Sequence, residues 1–329
     1  MTRPPGAGVP APVRRLVCVS LNAAVDKTAA VAQLVPGEIH RPELLSVVPG
    51  GKAINVARAA AGFGLMASVV PVVGGHAGAW LEEALAAGGL VARPVRVAGE
   101  SRTCLSVLDR STGRLTEFYE AGVVLDADGW AAVESAVTAE LAPDPDGTVV
   151  VVSGSLPVGA PEDAYARLVR LVQGAGGRCV VDIGGRALAL AVAAGPWLAK
   201  VNAAEAAEAT GLAPGREPEA LAAAHALRQA GAGMALVTRG AHGSLLLDED
   251  GAAWRVGPAP EHGPYSVGSG DSLLAGFLAA IAEGVTPAEA ARRGSAAGTA
   301  NALHPGQGHI DRADVDRLLP RITVTRIDR

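Results

Sequence analysis

Residues 266–277 read SVGSGDSLLAGF and join a glycine-rich turn to an apolar run. Gly268 and Gly270 flank Ser269 and allow a tight bend that turns backbone N–H groups to one side. The apolar residues that follow recur at helical spacing, so we predict that the turn opens a helix. Such a helix start binds phosphate-like anions. Asp271 lies in the first helical turn, where a carboxylate is also favoured by the helix dipole alone, so the motif by itself leaves its role open.

A second glycine-rich turn precedes another predicted helix. Gly50, Gly51 and Lys52 lead into an alanine-rich run over 53–61, with Asn55 in its first turn. The turn lacks the first glycine and the final serine or threonine of a Walker A loop. It is better suited to the approach of a small polar ligand to the backbone. A lone lysine at such a place is also typical of a solvated surface.

Composition narrows the class of protein. The 329 residues are 49% hydrophobic and 19% charged, which is typical of a globular chain and not of a disordered one. The formal net charge is -5, from 28 basic and 33 acidic residues, and no Lys/Arg run occurs. We therefore expect no nucleic-acid or membrane partner.

The cysteines, the length of the apolar segments and the composition of the first residues indicate the cellular compartment. Cys18, Cys104 and Cys179 are widely spaced within apolar runs, which predicts buried free thiols in a reducing compartment. The longest apolar segment, 187–199, is too short to span a membrane. The Pro/Gly/Ala-rich start, 1–13, is predicted to be a disordered tail and does not resemble a signal peptide. These features indicate a cytoplasmic protein.

Most of the sequence alternates β-rich runs with helical patterns. Strands are predicted at 16–21, 67–73, 91–97, 148–152, 178–183, 198–201 and 234–238. Helices are predicted at 77–87, 130–140, 162–173, 186–194, from 203, and at 217–230. Two alanine-rich helices, 271–282 and 287–303, are expected to close the fold. This alternation predicts an α/β fold with a largely parallel sheet and helices on both faces.

Two regions depart from the alternation. Residues 27–48 predict short strands, and 102–109 with 114–119 predict a hairpin, so the ranges 27–48 and 100–122 are expected to form one small sheet. No linker divides residues 14–329, which are expected to form one domain. Arg102 opens the hairpin and is a candidate anion ligand or a surface arginine. Asp26 follows the first strand, where α/β ligands sit, and is a candidate for ligand hydroxyls or for a turn cap.

Several functional classes have no signature in this sequence. It contains no dinucleotide fingerprint, zinc-ligand spacing or nucleophile elbow. The features that these exclusions leave are the glycine turns at strand ends, an aspartate at an anion-binding helix start and a few isolated basic residues. Together they indicate phosphoryl transfer to a small molecule.

The two glycine-rich motifs, over 50–58 and 267–276, resemble the signatures of the ribokinase-like carbohydrate kinases. Within that family the sequence is similar to the branch of 1-phosphofructokinases and tagatose-6-phosphate kinases. Further matches are 21–26 (LNAAVD), 99–103 (GESRT), 153–157 (SGSLP) and 200–205 (KVNAAE). The resemblance extends from residue 16 to the closing helices, so it covers nearly the whole chain.

This resemblance implies a three-layer α/β sandwich with a small β lid over a sugar site, ATP as phosphoryl donor, and Mg²⁺. It implies that Asp271 is the general base and that the N–H groups of Gly268, Ser269 and Gly270 form an anion hole. Further residues follow from the family motifs. Asn202 and Glu205 would position Mg²⁺ through water, and Thr238, Gly240 and Gly243 would lie beside the nucleotide.

The same resemblance implies an acceptor site. Asp26, Gly50, Gly51 and Asn55 would hold sugar hydroxyls, and Lys52 and Arg102 would hold a phosphate already on the sugar. Two cations suit a dianionic phosphate, which favours a hexose phosphate acceptor of the fructose 1-phosphate, fructose 6-phosphate or tagatose 6-phosphate type. The alternatives are a kinase of an unphosphorylated sugar or nucleoside, and a non-catalytic sugar-phosphate sensor. A sensor has no need of a base at residue 271.

Three departures from the family pattern remove no inferred catalytic group and bear more on the identity of the sugar than on the chemistry. Ala23 and Val201 stand where the branch usually has proline, and Ala53 stands where it usually has glycine. An alanine at a position that requires a positive φ would be strained by about 1 kcal/mol. Members of the family often form homodimers through the lid, where residues 117–120 are candidates for the contact.

Overall fold

The computed structural model describes residues 12–212 and 216–327. The predicted tail, 1–13, lies outside these residues except for Pro12 and Val13. Val13 is 4% exposed and packs into an apolar cluster, so it belongs to the core and not to a loose tail.

The elements of the described residues follow the predicted alternation closely. The strands are β1 (Arg15–Ser20), β2 (Ala24–Val31), β3 (Glu43–Gly50), β4 (Met66–Val73), β5 (Val91–Ala92), β6 (Val95–Arg96), β7 (Arg102–Asp109), β8 (Arg114–Tyr119), β9 (Thr148–Ser153), β10 (Arg178–Asp182), β11 (Leu198–Asn202), β12 (Met234–Thr238), β13 (Ser244–Leu247), β14 (Ala253–Val256) and β15 (Val324–Ile327). The helices are α1 (Lys52–Gly62), α2 (Gly75–Ala87), α3 (Ala127–Leu141), α4 (Ala164–Gly174), α5 (Gly185–Ala193), α6 (Ala203–Thr210), α7 (Glu217–Gln229), α8 (Ser269–Ala282), α9 (Pro287–Leu303) and α10 (Arg312–Leu318).

The main sheet has the order β15-β14-β13-β12-β11-β10-β9-β1-β4-β5, and β6 also pairs with β4. The strands from β12 to β5 run parallel. Parallel strands are covered on both faces, so they consist of nearly continuous apolar residues. The valine-rich strand β9 is an example, because all six of its residues are buried. After β1, the chain adds β4 and β5 on one side of β1. It later adds β9 on the other side of β1, so the direction of strand addition reverses there. Ligands of open α/β sheets bind at such a switch point, outside the carboxyl ends of the strands.

Helices cover both faces of the main sheet. One apolar cluster joins the sheet to α3, α4, α5, α6 and α7, and a second joins its other face to α1, α2, α8 and α9. The predicted three-layer α/β architecture with a mostly parallel sheet is therefore confirmed. No helix in 12–212 or 216–327 is long and apolar enough to span a membrane.

Three details of the main sheet differ from the prediction. The single strand expected at 91–97 is divided into β5 and β6, because Arg93 and Pro94 separate them and proline has no N–H for a ladder. Strands β13, β14 and β15 extend the sheet with antiparallel pairs that were not predicted. The two alanine-rich helices do not close the fold, since α10 and β15 follow them; β15 completes the edge beside β14.

A separate four-stranded sheet has the order β3-β2-β7-β8. Strand β2 pairs antiparallel with β3 and parallel with β7, and β7 pairs antiparallel with β8. Asp26 lies within β2 and pairs with Val48 and Cys104, so it belongs to this small sheet and not to a loop after β1. All three cysteines are buried and free, as predicted.

Candidate active site

A cavity of about 560 Å³ lies where the small sheet faces the carboxyl ends of the central strands. The cavity brings together most of the predicted site residues. They are Asp26, Gly51, Lys52, Asn55, Arg102, Asn202, Thr238, Gly240, Gly268, Ser269, Gly270 and Asp271. Gly50, Glu205 and Gly243 lie beside it.

The predicted anion-binding turn forms the start of α8. Gly268 is the N-cap residue with φ +80, and no side chain caps the helix. The N–H of Ser269 donates to the carbonyl of Ser266 at 3.2 Å, so this donor is engaged inside the turn. The N–H groups of Gly268 and Gly270 have no hydrogen-bond partner among the described residues. The turn thus offers free donors at the positive end of a helix.

Asp271 is buried in the first turn of α8, with 4% of its surface exposed. Its Oδ2 accepts a hydrogen bond from Nδ2 of Asn55 at 2.9 Å. Burial first, and then the nearby Asp182 carboxylate, raise the pKa of Asp271 to about 6, while Lys200 opposes the shift. A carboxylate with a pKa in this range is ionised near neutral pH and accepts a proton more readily than an ordinary aspartate.

Two lysines form ion pairs with carboxylates beside Asp271. Nζ of Lys200 lies 2.9 Å from Oδ2 of Asp182, and Nζ of Lys52 lies 3.5 Å from Oδ1 of Asp182 and 2.9 Å from Oε1 of Glu205. Burial opposes ionisation of the fully buried Asp182, but the two lysines hold its pKa below the ordinary value. The ammonium group of Lys52 is therefore shared between two carboxylates.

The sequence analysis missed the roles of Asp182 and Lys200. Asp182 ends β10, and Lys200 is the central residue of the neighbouring parallel strand β11. The available signal was a single lysine in the otherwise apolar strand predicted at 198–201, because a lysine in a buried strand needs a carboxylate partner.

Asn202 and Glu205 form a capping box at the start of α6. Oδ1 of Asn202 accepts from the N–H groups of Ala204 and Glu205, and Oε2 of Glu205 accepts from the N–H of Asn202, all at 2.9 Å. Direct coordination of a metal would compete with these bonds. Oδ1 of Asp182 has no hydrogen-bond partner, but it is fully buried and lies 3.5 Å from Nζ of Lys52. The side-chain oxygens of Asn202 and Glu205 fit a hydrated Mg²⁺ held through water.

A second group of possible metal ligands lies outside this cavity. His304, Asp311 and Asp314 bring ligand atoms within 4.8 Å of one another. Asp311 caps α10, and the two oxygens of Asp314 bind His304 and Arg317, both at 2.7 Å. These side chains already have protein partners, so they fasten α10 to the end of α9.

Asp26 faces the cavity from the small sheet, against Gly50. A Cβ at residue 50 would lie 2.0 Å from the carboxyl group of Asp26, so only glycine permits this approach. Burial raises the pKa of Asp26 to about 7, Asp271 adds to the shift, and Arg102 opposes it. Gly51 has φ +105 and starts α1. No non-glycine residue in the described ranges has a positive φ, so Ala53 carries no such strain.

Arg102 supplies a cation on the same side as Asp26. Its Nε donates to the carbonyl of Asn22 at 3.2 Å. The terminal amino groups of Arg102 have no hydrogen-bond or ion-pair partner in the part of the chain that the structure describes. The two predicted phosphate ligands thus differ, because Lys52 is ion-paired and Arg102 presents free donors to the cavity.

A second cavity, of about 370 Å³, adjoins the first at the α8 turn. Both cavities are lined by Thr238, Gly240, Ser266, Ser269 and Gly270. Gly243 lines the second cavity with φ +78, and a Cβ there would lie 2.1 Å from the carbonyl oxygen of Val256.

This arrangement places a turn with free N–H donors between two cavities, with the buried carboxylate of Asp271 on the side of the first. The first cavity presents the polar side chains of Asp26, Asn55 and Arg102, and the second is large enough for part of a small ligand. Such a constellation can transfer an anionic group from a ligand in one cavity to a hydroxyl in the other.

Comparison with known proteins agrees with this chemistry. A family model described as pfkB family carbohydrate kinase matches residues 14–313. A 1-phosphofructokinase of Xanthomonas campestris pv. campestris is 35% identical, over 84% of this chain and 87% of that protein. An ATP-dependent 6-phosphofructokinase isozyme 2 of Mycobacterium tuberculosis is 30% identical, over 92% of this chain and 88% of that protein.

A solved structure shares the fold at similar identity. It is the tetrameric inhibited form of phosphofructokinase-2 from Escherichia coli, with a TM-score of 0.84 and 29% identity, and the match covers 94% of this chain and 99% of that chain. The predicted ribokinase-like fold is confirmed. The chain belongs to the pfkB family of carbohydrate kinases.

Proposed function

We propose that this protein transfers the γ-phosphoryl group of ATP to a hydroxyl group of a hexose phosphate, of the fructose 1-phosphate, fructose 6-phosphate or tagatose 6-phosphate type. The observation that carries the proposal is the position of Asp271. It is buried and lines the first cavity, next to the turn at Ser269 and Gly270 that the two cavities share. The names of the relatives, which are phosphofructokinases, support the same reaction.

In this mechanism Asp271 accepts the proton of the acceptor hydroxyl. The oxygen then forms a bond to the γ-phosphorus, and the bond between that phosphorus and the β–γ bridging oxygen breaks to release ADP. The free N–H groups of Gly268 and Gly270 stabilise charge on the transferring group. Each preorganised donor of this kind contributes about 3–4 kcal/mol in measured enzymes. Ser269 contributes its N–H only when the bond to Ser266 opens.

Asn202 and Glu205 are the residues that would hold Mg²⁺ through its water ligands. When bound, the ion neutralises charge on the donor phosphates. Thr238, Gly240 and Gly243 line the cavity that we assign to the nucleotide. Lys200 keeps Asp182 ionised, and the other oxygen of Asp182 helps to position Lys52 beside the cavity.

On the acceptor side, we assign Asp26, Gly51 and Asn55, which line the first cavity, to the sugar hydroxyls, and Gly50 allows Asp26 its position. Arg102 is our main ligand for the sugar's own phosphate, because its terminal donors are free. Lys52 joins it only by exchanging Glu205 or Asp182 for the phosphate.

A panel of acceptors with ATP and Mg²⁺ tests the proposal through ADP release. The panel contains fructose 1-phosphate, fructose 6-phosphate, tagatose 6-phosphate, fructose, ribose and adenosine. We expect one hexose phosphate to exceed fructose in kcat/KM by about 100-fold, as a charge-assisted phosphate contact implies. Arg102→Met should remove most of this preference. Arg110→Met is the matched control, since Arg110 follows the same strand and pairs with Glu43 on the surface.

The pairing of Lys52 with Glu205 and Asp182 favours a second candidate. If Lys52 stays paired, one free cation remains in the cavity, which suits an unphosphorylated sugar or nucleoside. Best turnover with fructose, ribose or adenosine would favour that kinase. Binding of a hexose phosphate with no ADP release from any acceptor would favour a sensor.

We further propose a cytoplasmic homodimer that forms through the outer strand of the small sheet. The cytoplasmic location is supported by the three buried free thiols of the protein, which suit a reducing compartment. Phe118 and Tyr119 on β8 are more than half exposed, next to Glu117 and Glu120. Light scattering should give twice the chain mass, and Phe118→Ser should lower it; a monomer in both would contradict the dimer.

A further inference from the structure

We propose that Gln307 is an additional acceptor-binding residue, whose side-chain amide binds a sugar hydroxyl close to the one that is phosphorylated. This inference rests on the proposed function, because it assigns a further ligand within the same cavity. Gln307 belongs to neither glycine-rich motif and lies in the loop between α9 and α10.

The main evidence is an unpartnered buried acceptor. Gln307 is 4% exposed and lines the 560 Å³ cavity, and its Oε1 has no hydrogen-bond partner among the described residues. A buried amide oxygen without a partner destabilises the protein, so such a group is retained where a ligand satisfies it.

Gln307 is one of three such amides in this cavity. Oδ1 of Asn22 and Oδ1 of Asn55 are also buried without partners. The orientations of the two asparagines are fixed, because Nδ2 of Asn22 donates to the carbonyl of Ala121 and Nδ2 of Asn55 donates to Asp271. Three amide oxygens in one cavity need hydroxyl donors, which a polyhydroxylated acceptor supplies.

The loop holds Gln307 firmly against the reaction centre. A Cβ at Gly268 would lie 2.9 Å from Cβ of Gln307, and a Cβ at Gly308 would lie 2.7 Å from the carbonyl oxygen of Asn55. The N–H of Gly308 donates to Oδ1 of Asn301 at 2.8 Å. Arg58 binds the backbone carbonyl of Gln307. The residue therefore lies between the anion-binding turn and the start of α1, where the reacting end of the acceptor must sit.

The test compares Gln307→Met with Gln229→Met in the intact protein. Methionine keeps the length of the side chain but cannot bond to a hydroxyl, and Gln229 is an exposed residue at the end of α7. We expect Gln307→Met to raise the KM of the acceptor by about 3- to 30-fold and to leave the KM of ATP unchanged. The thermal midpoint of the free protein should not fall, because an unsatisfied buried amide has been removed. Gln229→Met should change none of these values. An unchanged acceptor KM in Gln307→Met would overturn the inference.

Deoxy analogues of the preferred acceptor make the test specific. With either the 3-deoxy or the 4-deoxy analogue, the kcat/KM of the wild-type protein should be about 10-fold lower than with the full acceptor. For Gln307→Met, kcat/KM should be the same with that analogue as with the full acceptor. Equal losses in both proteins would overturn the inference. If Gln307→Met does not fold, Gln307→Asn carries the same comparison, because its shorter amide cannot reach the hydroxyl.

Failure of the proposed function gives a different result. A wild-type protein that prefers a free sugar over every hexose phosphate contradicts the proposed substrate. The deoxy comparison is then made with that free sugar, and loss of discrimination in Gln307→Met still supports the role of Gln307, whereas retained discrimination overturns it.

Discussion

The side-chain nitrogen Nδ2 of Asn55 lies 2.9 Å from Oδ2 of Asp271, so α1 and α8 meet at the proposed base. This hydrogen bond favours the ionised carboxylate and limits the rise in its pKa caused by burial. Asn55→Leu removes the donor and should raise the pKa of Asp271 further. Since the base must be ionised, the acid limb of the kcat/KM profile should move to higher pH by about 1–2 units.

The measurement is kcat/KM from pH 5 to 9 with the preferred acceptor. Loss of a sugar contact alone would lower the whole profile without moving its midpoint. An unchanged midpoint in Asn55→Leu would therefore contradict the role of this hydrogen bond.

The fully buried carboxyl group of Asp182 depends on Lys200, which lies 2.9 Å away. Lys200→Met leaves only Lys52, at 3.5 Å, and should lower the free energy of unfolding by about 3–5 kcal/mol. Urea unfolding measures the loss. Asp182→Asn added to Lys200→Met should recover most of it, because no uncompensated charge then remains.

Lys27→Met is the control, because Lys27 lies in the small sheet and has no ion-pair partner in the described ranges. This substitution should change the free energy of unfolding by about 0.5 kcal/mol or less. A double variant no more stable than Lys200→Met would show that Asp182 does not depend on this charge.

Burial raises the pKa of Asp26 from 3.8 to about 7. Between these values the folded state holds a proton that the unfolded state has lost, so this group's contribution to stability is present below pH 4 and falls as the pH rises towards 7. Asp26→Asn removes this effect. At pH 8 the variant should exceed the wild type in the free energy of unfolding by about 1–4 kcal/mol, and the difference should disappear near pH 4.

Chemical denaturation at pH 4, 6 and 8 decides this point. If the difference in free energy of unfolding between the wild type and Asp26→Asn is the same at all three pH values, the pKa of Asp26 is not raised in the folded state. The variant should also bind the acceptor less tightly, so its added stability would come with weaker function.

The site residues that the sequence predicted are those that glycine turns and strand ends bring to one edge of a sheet. Asp271 and Lys52 follow such turns, and Asn202 ends β11. The pairing of Asp182 with Lys200 could not be predicted, because it depends on the neighbouring positions of β10 and β11 in the sheet. Gln307 was missed for a similar reason, since its loop reaches the cavity only after α9 has packed on α8.

The fold was predictable where periodic patterns are long. The parallel strands and their helices were placed to within a few residues, because apolar runs and helical spacing mark them. The strands β13, β14 and β15 have four residues each, too few for a clear pattern, and their order follows from tertiary pairing. Asp26 was placed in a loop because the sequence does not show that only three residues separate β1 from β2.

The most direct measurement for this account compares binding with turnover in Asp271→Asn. Asparagine keeps the size of the side chain but cannot accept the proton of the acceptor hydroxyl. Calorimetry should give dissociation constants for the acceptor and for ATP within about 5-fold of the wild type, while kcat falls by about 10²–10⁴-fold. Turnover near the wild-type rate would contradict the assignment of Asp271 as the base.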